Sequence, residues 1–249
     1  MELHSEILHR FDLDENFISF WTLYDYVHSL SLTYKKIVYK VKTANNDSSK
    51  AKRIQVASNI LDAHVFSFDF IYIDEISFNL EMRPSKGWGV VGASLNAMKP
   101  AKSLNYSAIV AMDLNGILGI QIIKGGVKSA EFISFMFSIC EAEAIRIAKK
   151  KVIFFLDNAS IHRSKLYMQP FVKYYNVLYN APYTPQFNPI EFSFSKLKYL
   201  VKKAKPTSEK DLVKKILEAS HQISEKDCAK FILHSLKFLD KAMNKEDFY

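Results

Sequence analysis

The stretch "KVIFFLDN", Lys151 to Asn158, decides how the chain is read. Its apolar run is too short for a helix and does not alternate with polar residues, which predicts a strand buried on both faces and closed by Asp157. Upstream, "DFIYIDE" (Asp69 to Glu75) is rich in β-branched and aromatic residues and predicts a strand ending on two acids. Between them, "LNYSAIVAMDLNGILGIQIIKGG" places turn residues Asp113 to Gly116 between two β-prone runs, as a hairpin does. "SAEFISFMFSICEAEAIRIAKK" then has apolar residues at three-to-four spacing and cations at its end, as in a helix. Downstream, "RSKLYMQPFVKYY" predicts a helix limited by Pro170, "NVLY" a brief strand, and the chain from Asn188 onward helices. Strands alternating with helices make this an α/β chain.

Composition narrows the function. The 249 residues are 49 % hydrophobic and 24 % charged, enough for one sizeable core plus a small appendage, and this excludes disordered and fibrous classes. A formal charge of +8 and a pI near 9.2 favour polyanionic partners such as nucleic acid. Cys140 and Cys228 match no metal or redox spacing and read as reduced thiols. The N-terminus "MELHSEILHRF" lacks a signal-peptide core, and "VFSFDFIYI" and "VIFFL" are far shorter than the ~20 residues a membrane span needs. The expectation is a protein that is not secreted and has no membrane partner.

Three acids stand out by position. Asp74 and Asp157 fall at the ends of predicted strands, where reactive groups of α/β sheets collect. Glu191 follows "NAPYTPQFNP", in which Pro182, Pro185 and Pro189 fix φ and lower the entropy lost on ordering. Such a segment would aim Glu191 at the point where the aspartates end. Three converging carboxylates repel one another unless cations neutralise them, and Mg²⁺ or Mn²⁺ pairs serve phosphoryl transfer in this way. An isolated strand-end aspartate is, however, more often a turn former or helix cap.

At these residues the chain resembles a known family. "IYIDEISFNLEMRPSKGWGVVG", "VIFFLDNASIHRSK" and "YNAPYTPQFNPIEFSFSKLK", in that order, are similar to the three catalytic blocks of the Tc/mariner superfamily of DDE transposases. The resemblance runs from about Asp69 to Lys203 and implies a ribonuclease H-like fold with a mixed central sheet. It further implies cut-and-paste transposition of double-stranded DNA by a homodimer, with Asp74, Asp157 and Glu191 binding two Mg²⁺ or Mn²⁺ ions and no small-molecule cofactor. The 33 residues between Asp157 and Glu191 suit the short spacing of that superfamily. Candidate DNA contacts are Arg83, Trp88, Asn158, His162, Arg163, Lys196, Lys198, Lys202 and Lys203. All but Arg83 and Arg163 also have a plainer reading: His162 as a packing residue, Asn158 as a turn residue, Trp88 as a packed hairpin residue, the lysines as a solvated face. Such an enzyme would work in a eukaryotic nucleus, or otherwise in the cytoplasm.

The polar cluster "NNDSSK" (Asn45 to Lys50) separates a short N-terminal module. The expected division is 1–44 as a partial helix-turn-helix module, 45–67 as linker and connecting helix, and 68–249 as catalytic domain with C-terminal helices. Family members carry two helix-turn-helix units, whereas "ISFWTLYDYVHSLSLTYKKI" resembles only the end of the second. Ser19 is a candidate N-cap, and Ser19 to Leu30 holds Asp25 but no Lys or Arg, which predicts weak reading of base edges. The competing expectation is a catalytically idle or domesticated transposase-derived DNA-binding protein.

Overall fold

The structure is a computed structural model; it describes residues 2–14, 17–31, 42–82, 104–144, 147 and 151–248. The chain divides into two compact units, Met1–Lys40 and Val41–Tyr249. In the first, α1 (Glu2–Arg10) precedes α2 (Phe20–Ser29). Ser19 caps α2 by accepting the Thr22 N–H at 3.0 Å, as its sequence position predicts. Leu23 is the buried residue of α2, and Trp21 and Tyr26 are exposed. The remainder of the expected helix-turn-helix, residues 32–41, lies outside the described residues.

The second unit is built on five strands in the order β3-β2-β1-β4-β5. These are β1 (Asp69–Phe78), β2 (Tyr106–Asp113), β3 (Gly116–Lys124), β4 (Val152–Leu156) and β5 (Asn176–Tyr179). β2 pairs antiparallel with β1 and β3, while β4 pairs parallel with β1 and β5. The sheet is therefore mixed, and the hairpin turns at Asp113 to Gly116 as predicted. β4 is covered on both faces: Phe154, Phe155 and Leu156 are buried.

Two helical layers cover the sheet. On one face Phe70, Tyr72, Ile76, Val110 and Phe155 pack with residues of α3 (Asp47–Val65), α6 (Ile190–Ala204), α7 (Glu209–Ser220) and α8 (Glu225–Met243). On the other, Ile71, Ile73, Ile109 and Phe154 pack with α4 (Ser129–Ala142) and α5 (Lys165–Val172). Alternate β1 residues thus feed separate cores, as period-2 geometry requires. Pro170 lies inside α5, which ends two residues later. No helix among the described residues is long and apolar enough to cross a membrane.

One correction concerns β1. Asp74 does not end the strand, which continues to Phe78; it pairs opposite Val110 of β2. The paired hairpin strand extends β1 past the point where its apolar run stops, so ladder hydrogen bonds outweigh the break in side-chain pattern.

The C-terminal helices are closed by local polar contacts. Ser224 and Asp227 form a capping box on α8, and Lys196 of α6 reaches Asp227 at 2.5 Å. The Lys196 ammonium, then the Ser224 hydroxyl and N–H, hold the Asp227 carboxyl down at about 2. The depressed value means that this contribution to stability is present above the ordinary aspartate range, near about 3.9, and fades as pH falls through about 2. Ser224→Ala should therefore cost about 1 kcal/mol in urea denaturation at pH 7. The stability difference between the native protein and Asp227→Asn should be constant from neutral pH to the start of that window and then shrink.

Candidate active site

The parallel register of β1 and β4, with Tyr72 beside Phe155, continues so that Asp74 comes level with Asp157 just past the end of β4. Period 2 also sends both side chains to the face covered by α6. Glu191 lies in the first turn of α6, whose start is fixed by Pro189 as N-cap and by the short 3₁₀ turn Pro185–Phe187. Asp157, Asn188 and Glu191 line one cleft of about 170 Å³ with the loop Asn180–Pro185. Asp74 sits behind Asn188, whose Nδ2 donates to Asp74 Oδ2 at 3.0 Å.

Exposure rises across the three acids. Asp74 is buried at 7 %, Asp157 is half-buried, and Glu191 is exposed. Burial and then the charge of Asp157 push the Asp74 carboxyl well above the usual carboxylate range, against the Glu75 N–H that it accepts. Desolvation within the cleft, then Asp157, also raise Glu191, and Lys198 opposes them. Asp157 goes the other way: burial would raise it, but His162, the Ala159 N–H at 2.8 Å and Arg163 outweigh that and hold it low.

His162 is fully buried, stacks on Phe132 at 4.1 Å, and joins two acids. Its Nδ1 lies 2.5 Å from Asp157 and its Nε2 2.9 Å from Glu75. Burial alone would depress its pKa, but the two carboxylates raise it to about 10, so the ring is an imidazolium at neutral pH. The side chain thus packs and also orders Asp157, leaving no exposed edge for DNA.

The other expected DNA contacts divide. Asn158 is occupied within the protein, donating to the Asn180 carbonyl and accepting from Arg163. Arg163 is exposed and lies over the Tyr179 ring at 4.6 Å. Lys196 is held by Asp227, whereas Lys198 and Lys202 are half-buried and Lys203 is exposed along α6. Arg83 and Trp88 lie outside the described residues.

Sequence reasoning missed Glu75 as the second partner of His162, Asn188 as the partner of Asp74, and the braces of the proline loop. Asn180 Nδ2 donates to the Thr184 carbonyl at 2.7 Å. Buried Arg53 of α3 reaches Thr184 Oγ1 at 3.3 Å and the Ala44 carbonyl at 2.8 Å. Glu75 had a signal, since neighbours in a strand face opposite ways; the others depend on contacts distant in sequence.

The chain belongs to the DDE superfamily of endonucleases. Residues 69–213 match the family model described as DDE superfamily endonuclease, more than half of the chain. Among solved structures, the fold resembles a Mos1 transposase paired-end complex with left transposon end, at TM-score 0.74 and 15 % identity over 99 % of this chain and 75 % of that one. It also resembles the Mos1 mariner paired end complex with Mn, at TM-score 0.73 and 15 % identity over 99 % and 75 %. The catalytic domain of Mos1 mariner transposase matches at TM-score 0.66 and 15 % identity, over 86 % of this chain and 100 % of that one. No curated protein sequence matches the chain. The five-stranded mixed sheet is thus ribonuclease H-like, as the sequence resemblance implies.

For a DDE-superfamily cleft the donor chemistry suits a hard divalent cation. Asp74 and Glu191 have proton affinities raised by confinement and by their neighbour, a condition a bound cation relieves. Asn188 Oδ1, beside Asp74, is a buried acceptor without a hydrogen bond. Asp157 and Glu191 line the cleft and Asp74 stands behind it, without the three meeting at a point: among the described residues, no three His, Cys, Asp or Glu side chains are grouped to hold a metal ion.

Removing the imidazolium should show its structural weight. His162→Ala should cost about 3 kcal/mol, from the cavity against Phe132 and two unpartnered carboxylates. Glu75→Gln, which keeps the shape and one acceptor, should cost about 1 kcal/mol. Equilibrium denaturation of both variants measures the contrast.

Proposed function

We propose that this chain is a metal-dependent DNA transposase of the cut-and-paste type. The observation that carries the reading is the cleft itself, where Asp157 at a strand end and Glu191 at a helix start face a proline-braced loop, with Asp74 joined to it through Asn188, in a basic protein. Asp74, Asp157 and Glu191 would hold two Mg²⁺ or Mn²⁺ ions, which supply charge to activate the attacking oxygen and stabilise the leaving one. The Mos1 paired-end structures with Mn and with Mg support divalent metal use within this fold.

The chain's own residues set up the reaction. His162 keeps Asp157 ionised and fixes its orientation, and Asn188 donates to the Asp74 carboxyl from the cleft side. Lys198, Lys202 and Lys203 extend from Glu191 along α6 and would draw in phosphates. Water attacks a phosphorus, the bond to the 3′ oxygen breaks, and a 3′-hydroxyl is freed. That hydroxyl then attacks a phosphorus of a second duplex and displaces its 3′ oxygen, so one ester is exchanged for another. A homodimer would carry one site for each end of an excised segment, in the nucleus of a eukaryotic cell or otherwise the cytoplasm.

A second reading, a DNA-binding protein that does not cut, draws on the acids standing apart around the cleft. Nicking of supercoiled plasmid in Mg²⁺ or Mn²⁺ separates the two. The full chain should nick, chelation should stop it, and Asp157→Ala should lower the rate by at least about 100-fold, with DNA affinity retained. Cleavage surviving in that variant would remove the mechanism. Affinity should fall steeply with added salt, because lysine–phosphate contacts release counterions.

Sequence preference should be weak, because α2 carries Asp25 and no Lys or Arg. Selection of bound duplexes from a random pool checks this: a single long preferred site would mean that the N-terminal unit reads bases.

A further inference from the structure

The rim of the cleft holds a side chain that the reaction scheme leaves unused. Tyr183 lines the cleft with Asp157 and Glu191, and its backbone φ is +54°. A bulky residue enters this left-handed region only where its surroundings impose it, whereas glycine and asparagine enter it readily. The surroundings here are firm: Pro182 precedes it, and Thr184 behind it is gripped by Asn180 and Arg53. Phe187, four residues on, is buried in the core, yet Tyr183 is 48 % exposed and has no ring partner among the described residues. The strained backbone therefore holds an aromatic ring out in solvent, beside the acids.

Asp157 and Glu191 share the cleft with the loop that carries Tyr183. A phosphate brought to these acids on a locally unpaired strand has neighbouring bases that need a surface to replace the lost stacking. A second exposed ring stands on α6. Glu191, Ser195, Lys198, Tyr199 and Lys202 share one face of α6 by their spacing, and Tyr199 is 61 % exposed. Two lysines flanking an exposed ring, about 12 Å along the helix from Glu191, repeat the pattern by which single strands are held: cations for the backbone, aromatic faces for the bases.

We propose that Tyr183 and Tyr199 form a stacking track for an unpaired DNA strand, so that the enzyme takes its phosphate from a frayed or overhanging end. The proposal rests on the reading above only in taking DNA as the occupant of this cleft.

The test compares binding of the full chain to a blunt duplex and to the same duplex with a short single-stranded overhang containing 2-aminopurine. The native protein and Tyr183→Phe should prefer the overhang by about tenfold and quench its fluorescence. Tyr183→Asn and Tyr183→Gly tolerate the left-handed backbone but lack the ring; with circular dichroism matching the native protein, they should lose most of the preference and the quenching. Tyr199→Ala should lose part of both. A native protein that binds blunt and overhanging duplexes equally overturns the track, as does preference retained in both ringless variants. Metal-dependent nicking, measured in parallel, reports separately on the nuclease. Ring-dependent preference without nicking upholds the track and sinks the catalytic reading, and nicking without ring dependence does the reverse.

Discussion

The cost of holding acids away from water is the constraint around which this site is arranged. Desolvation first, and the charge of Asp157 second, raise the carboxyls of Asp74 and Glu191, because the sheet and the proline loop keep them only partly open to water. The surroundings treat the three unequally. Asp157 has a cation and a backbone donor of its own, Asp74 has an amide and a backbone N–H, and Glu191 depends mainly on exposure. The arrangement holds the carboxyl of Asp157 low and leaves those of Asp74 and Glu191 raised.

The middle of β1 shows how a strand can serve both layers of such a site. Asp74 and Glu75 are adjacent, so one side chain enters the cleft face and the other the α4 face. His162, packed on Phe132 in the second layer, holds both Glu75 and Asp157. Repacking of α4 would therefore be felt at the cleft through the ring of His162, although α4 contributes no acid to it.

Much of this was legible in the sequence, for local reasons. The buried strand at Val152–Leu156, the hairpin turn at Asp113 to Gly116 and the Ser19 cap each follow from a few neighbouring residues. The positions of Asp157 just past a strand and of Glu191 in the first turn of a helix follow likewise from local signals, because an apolar strand fixes where its next polar residue falls and prolines fix a helix start; the expected convergence of Asp74, Asp157 and Glu191 on one metal pair is not seen as a three-acid group among the described residues. The true end of β1 was not legible, since it depends on pairing with β2 across a segment of other chain. Nor were the roles of Asn188, Asn180 and Arg53, polar residues whose partners are set by tertiary packing. The lysines after Glu191 looked alike in sequence, yet Lys196 is committed to Asp227, which only the approach of α8 to α6 could reveal.

The bracing of the proline loop also bears on when the cleft can exist during synthesis. Arg53 grips Thr184, 131 residues later, and its guanidinium lies 4.0 Å over the ring of Phe248. Asn45 hydrogen-bonds both the N–H and the carbonyl of Phe248, 203 residues away. Contacts of such span form only after both partners are available, and loop-closure entropy makes them late even then. A ribosome delivers the chain from its N-terminus, so the sheet and its acids emerge well before the residue that completes this clasp. A nascent chain would thus carry Asp74, Asp157 and Glu191 before the long-range contacts of Arg53 and Asn45 with Phe248 that brace the wall of the cleft.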